Sequence, residues 1–165
     1  MAVTQQLARI SAQRFSAAKS DANALMSIIS FEVDAQEAFE DLDWSPVFLE
    51  RALLALAQVD LASTVAQALC GGELLNPDFP TGADGYFVYD DIRSHEPDVV
   101  VQIAEALEAL PVTEMSLTET AVRSRHPDQE IPGDYAVYIQ RHAKALMHFY
   151  AAAAGLHQAV VTWWD

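Results

Sequence analysis

The apolar positions fall into two periodicities, and together they mark out a chain of mostly helices with a few strands. Val3 to Ile10 mixes β-favouring with polar residues and reads as a strand, after which Ser11 is placed to cap a helix through about Lys19. Asp21 to Ile29 gives a second helix with Leu25, Ile28 and Ile29 on one face. Residues 32 to 43 carry Glu32, Asp34, Glu37, Glu40, Asp41 and Asp43, which predicts an exposed loop or an edge segment. Ser45 and Pro46 signal the next helix, the serine as cap and the proline at the first helical position, where no hydrogen bond is lost. Phe48, Ala52 and Ala55, beside Leu49, Leu53 and Leu56, give it a wide apolar face. Asp60 begins another helix, with Leu61, Val65, Ala68 and Leu69 at the spacing i, i+4, i+7, i+8. Gly71 and Gly72 end it, and Gly71 is expected to be the left-handed terminal residue.

Beyond the glycines, residues 73 to 85 hold Asn76, Pro77, Pro80, Gly82 and Gly85 and read as loop. Tyr86, Phe87, Val88 and Tyr89 then predict a short aromatic strand closed by Asp90 and Asp91. Pro97 opens a helix whose stripe is Val100, Ile103, Ala104, Leu107 and Leu110, and Pro111 closes it. Residues 111 to 133 show no sustained period and predict a surface wrap with at most one helical turn near Ser116 to Val122. Asp134 caps a long helix that Gly155 stops, and His157 to Trp164 reads as a final strand. Without strict βαβ alternation or a Ser/Gly linker, the pattern is α+β: one domain, residues 1–165, with a small mixed or antiparallel sheet packed against several helices.

Charge narrows the list of partners. Twenty-four Asp and Glu against nine Lys and Arg leave a formal net charge of −15 on 165 residues. A phosphate backbone and an anionic membrane surface are both repelled by that balance, and no basic stripe interleaved with aromatics offsets it. No apolar run approaches the roughly 18 residues of a membrane span, and Met1 to Ile10 lacks the basic patch and apolar block of a signal peptide. The lone Cys70 has no internal partner, so a reducing, cytoplasmic setting is the expectation. A hydrophobic share of 52% argues for a packed core in place of disorder. A basic protein partner fits the charge, with the chain itself a monomer or weak homodimer.

Candidate chemistry is sparse. Cys70 falls at a helix C-terminus, where the backbone disfavours a thiolate, so it reads as a small buried hydrophobe and not as a nucleophile. On the long helix, Tyr135, Ile139, His142, Leu146, Phe149 and Ala153 share one narrow face, which predicts a buried, hydrogen-bonded His142 and an exposed His148. The two histidines are six residues apart and cannot chelate together as an i, i+4 pair would. Asp84, Asp90 and Asp91 surround the aromatic strand but miss the spacing of a calcium loop, so no metal and no cofactor is expected. Gly71-Gly72 has no lysine after it and no helix beginning on it, which rules out a phosphate cradle of the usual kind. Trp163 and Trp164 face opposite sides of a strand, so one enters the core and the other is left for a helix face or a partner.

Five blocks stand out: Leu7 to Ser11; Asp41-Leu42-Asp43-Trp44 before a leucine-rich helix; Ala68-Leu69-Cys70-Gly71-Gly72; Gly85-Tyr86; and His148-Phe149-Tyr150-Ala151-Ala152-Ala153 before the last strand. In these blocks the chain resembles the YfbM-like family of small bacterial proteins. The chain departs from the family where Trp44, Ser45 and Pro46 stand in place of a lysine and nearby tryptophan, and where Phe87-Val88-Tyr89 follows Gly85-Tyr86. The resemblance implies an α+β fold and carries over no activity, cofactor or catalytic residue. The reading favoured by charge is a non-enzymatic, protein-binding module with an acidic surface, immunity-like in masking a basic partner. The alternative is a small-molecule binder or hydrolase built on the loop 81–93, with Asp84, Tyr86 and Arg93 as ligand-binding candidates beside His142.

Overall fold

The computed structural model describes residues 4–32, 34, 36–79, 88 and 90–165. Its centre is a five-stranded sheet formed by β1 (Gln5–Ile10), β2 (Ala38–Asp41), β3 (Glu73–Leu74), β4 (Arg93–His95) and β5 (Ala159–Trp164). The order is β2-β1-β5-β4-β3 and each neighbouring pair is antiparallel. The N-terminal and C-terminal strands thus lie side by side at the centre, with Leu7 opposite Thr162 and Ile10 opposite Ala159.

Strand side chains alternate between faces, and here both faces are covered. Leu7 and Val160 point into the larger core, made with α3 (Ser45–Ala55), α4 (Val59–Cys70), α5 (Pro97–Leu107) and α8 (Tyr135–Gly155). Ala8, Ile10, Ala159, Val161 and Trp163 point the other way, into a smaller core closed by α1 (Ala12–Ala18) and α2 (Ala22–Ile29). Trp163 is buried there against Phe31 and Phe39, while Trp164 stays half-buried, as opposite-facing neighbours on a strand require. The fold is α+β, as expected, with an antiparallel sheet among the described residues.

Local signals explain most helix boundaries. The Ser11 hydroxyl accepts from the Arg14 N–H, Asp21 from Asn23 and Asp134 from Val137, each relieving an unpaired amide of a first turn. Pro97 sits in the first turn of α5. Tyr150, wholly buried on α8, donates to the Ala68 carbonyl at 2.6 Å and so ties the longest helix to α4.

Four expectations need correction. Ser45 lies inside α3 and does not cap it: Trp44 holds the cap position, and the buried Ser45 Oγ has no hydrogen-bond partner. Gly71 is extended, with φ −86°, and the left-handed residue is Gly72 at φ +87°. A Cβ on Gly72 would lie 2.3 Å from the Ser94 carbonyl oxygen, so close passage of β4 demands glycine there. Cys70 is exposed, not buried. Residues 111 to 133 fold into two short helices, α6 (Val112–Ser116) and α7 (Glu119–Arg125). The expected aromatic strand at 86–89 lies, apart from Val88, outside the described residues, and pairing with β5 instead falls to Arg93–His95.

Candidate functional site

The acidic stretch 32–43 divides into two parts with different fates. Glu37 turns inward, accepts from the Ser11 and Asp34 backbone amides and pairs with Arg14, whose second terminal nitrogen donates to the Ser27 hydroxyl. Burial by itself would raise the Glu37 pKa. The two amides and the guanidinium outweigh it and hold the carboxyl below its ordinary value.

Past β2 the chain does something else. Leu42 is fully buried, and its amide donates to the Gln5 carbonyl, so the strand pairing persists to that point. Asp43 then adopts a left-handed backbone, φ 54°, which aspartate tolerates better than most side chains. Its amide donates to the Asp41 carboxylate at 2.7 Å, which fixes the turn. The reversal throws Trp44 outward, half its surface exposed, at the threshold of α3. Tyr138 on α8 reaches over and donates its hydroxyl to Asp43 Oδ2 at 3.2 Å. Phe48 meets the Tyr138 ring edge to face, with centroids 5.9 Å apart.

These residues form one wall of an open cleft of about 560 Å³, and the segment from Asp128 to Gly133 forms the other. Ile131 and Pro132 give the second wall apolar surface, and Asp43, Asp128 and Glu130 give the rim carboxylates. A Cβ placed on Gly133 would meet nothing within 4 Å, so that wall faces open space.

His142 lies one turn beyond Tyr138 on α8, with the two ring centroids 4.4 Å apart. It is 3% exposed, as the helical spacing predicts, but its Nδ1 has no hydrogen-bond partner, which corrects the expectation of a hydrogen-bonded core histidine. Burial, helped by the nearby Arg141 charge, pushes its pKa down against the pull of Asp43 and Asp41, so the ring is neutral at pH 7. Burial and the Asp43 carboxylate push the Tyr138 hydroxyl up, which keeps it a neutral donor. The pair therefore offers shape, an aromatic face and one fixed dipole; no charged acid or base results.

The other candidates disperse. Arg93 stands on β4, paired with Asp91 and donating to the Gly72 carbonyl, on the far side of the sheet order from β2. Asp84 and Tyr86 lie outside the described residues. Although Cys70 is exposed as a residue, its sulfur faces Gln5 at 3.8 Å from Oε1, and partial burial of the thiol with Asp90 and Glu50 nearby raises its pKa, which makes it a poor nucleophile. Among the described residues no group of three or more His, Cys, Asp or Glu could hold a metal ion, and no helix is long and apolar enough to cross a membrane. Sequence reasoning missed the cleft because its second wall, 128–133, has no periodicity. The available signal was Trp44 beside an acidic pair at a helix start.

The fold and cleft together define an α+β protein with an antiparallel sheet clad in helices on both faces and an aromatic cleft at one corner. A similar fold is found in the crystal structure of YfbM from Escherichia coli, a protein of unknown function. At 14% sequence identity the likeness covers 98% of this chain and 99% of that one, with a TM-score of 0.65, so the two share a YfbM-like fold over essentially their whole lengths. No protein-family model and no curated protein matches the chain.

Proposed function

We propose that this protein binds a small organic ligand in the cleft between the start of α3 and the segment 128–133. The observation that carries the reading is Trp44, a large aromatic kept half-exposed by a left-handed Asp43 that Tyr138 holds in place. Concave sites lined by aromatic and aliphatic groups with a few fixed polar atoms are where small ligands bind, and backbone held in an unfavoured region clusters at such sites. The carboxylates predicted to form a free acidic face are in part consumed: Glu37 is buried against Arg14, and Glu40 is half-buried with its pKa raised by burial.

The test is a titration with naphthylmethanol, a neutral aromatic probe, followed by NMR of the backbone amides and indole N–H groups. Binding here shifts the signals of Trp44, Tyr138 and Ile131, and Gly133→Phe, which fills the cleft from its open wall, abolishes the shifts without unfolding the protein. Shifts that map elsewhere, or that survive Gly133→Phe, overturn the reading. The −15 charge keeps a basic protein partner as a second reading. Its complex would dissolve at high salt and would footprint on surface carboxylates outside the cleft.

A further inference from the structure

The structure assigns the cleft a ligand class, and this step rests on the ligand-binding reading above. Where the apolar part ends, a second concavity of about 430 Å³ begins, lined by Arg51, Arg125, His126, Pro127, Asp128 and Gln129. The two concavities share Asp128 and Gln129, so they meet along that edge. Phe48 and Arg51 stand at i, i+3 on α3, the spacing that sets side chains on one helix face, and Trp44 caps the helix just before them. One face of α3 therefore runs from aromatic to cationic across both concavities.

Among the described residues Arg14, Arg93 and Arg123 pair with carboxylates, whereas Arg9, Arg51, Arg125 and Arg141 have none within 4.0 Å. Arg51 and Arg125 are the two that line the second concavity. Arg125 gives one hydrogen bond, to the Leu54 carbonyl at 3.3 Å, and one terminal nitrogen of Arg51 is buried with no acceptor at all. The buried Gln129 Oε1 is likewise without a partner. A buried guanidinium nitrogen without an acceptor is costly, and a second arginine beside the first adds repulsion. Both costs vanish when an anion arrives, and planar guanidinium groups match carboxylate geometry.

We infer that the ligand is an aromatic or branched organic carboxylate, its apolar body against Trp44, Phe48 and Tyr138 and its carboxylate between Arg51 and Arg125. Asp128 stands at the seam and opposes that charge, which gives a signed prediction.

The experiment compares three probes of one shape, naphthoate, naphthylmethanol and naphthylmethylamine, by calorimetry and by NMR of the arginine Nε–H signals. Naphthoate is expected to bind at least tenfold more tightly than the alcohol and to shift the Arg51 and Arg125 signals. Arg125→Gln, at an exposed position, should erase most of that tenfold preference and leave the alcohol unaffected, and Asp128→Asn should tighten naphthoate a few-fold. Equal binding of acid and alcohol, unchanged by Arg125→Gln, overturns the anion inference and leaves the cleft standing as a neutral aromatic site. Binding of none of the three at the cleft overturns both readings. A preference for the amine assigns the rim carboxylates the dominant role and also overturns the inference.

Discussion

Two polar clusters lie at neighbouring corners of this protein, and they are built on opposite terms. At the α1–β2 corner, Glu37 takes two backbone amides and an arginine, and Arg14 also donates to Ser27. Among the described residues, Ser45 Oγ and Arg51 Nη1 on α3, His142 Nδ1 on α8 and Gln129 Oε1 after α7 are buried and unpartnered, and so is Trp163 Nε1 in the smaller core. The first arrangement is what a group serving only the fold looks like, because satisfied polar networks rigidify a structure. The second accepts a cost to stability, and it borders the cleft where Trp44 is left half-exposed.

Substitutions sharpen that contrast. The largest effect is expected from Glu37→Ala, which strands a part-buried guanidinium and two amides and should destabilise the fold by about 3 kcal/mol in denaturant unfolding. His142→Leu lies at the other extreme in sign: it removes an orphaned ring nitrogen, so it should be neutral or stabilising by up to about 1 kcal/mol. Trp44→Ala, removing a side chain that is half in water, should shift stability by no more than about 0.5 kcal/mol while eliminating aromatic probe binding.

Acid separates the same two clusters by pH window. Glu37 is held below the ordinary carboxylate value of 4.5, so its contribution is full above that value and is lost as pH falls through the folded pKa. His142 and His95 are both held below the ordinary imidazole value of 6.5, so the unfolded chain binds protons that the folded chain refuses. Their contribution falls away as pH drops below 6.5. His142→Leu should flatten part of the stability loss just below that point, and Glu37→Ala should flatten the loss at lower pH. Unfolding midpoints measured across the acid range check both.

Much of this fold is written in local signals. Ser11, Asp21 and Asp134 announce their helices through side-chain caps, and the narrow apolar face of α8 is plain from Tyr135 to Ala153. What local signals do not carry is pairing across the chain. Arg93–His95 is polar and short, and it becomes a strand only because β5 offers it an open edge. Gly71 and Gly72 look equivalent in sequence, yet the nearness of Ser94 decides which one turns left-handed. Ser45-Pro46 reads as a cap and first turn, but the reversal at Asp43 moves the cap back to Trp44. The cleft suffers most from this limit, since Trp44, Arg51, Arg125 and Ile131 are brought together by the packing of α3, α7 and α8 and by no motif.

The most direct test is a crystal structure of the protein with naphthoate. The account predicts the ring against Trp44 and Tyr138 and the carboxylate between Arg51 and Arg125, with the Arg51 nitrogen no longer lacking an acceptor. A naphthoate bound away from this cleft, or an empty cleft at saturating probe with the Arg51 nitrogen still unpartnered, would contradict it.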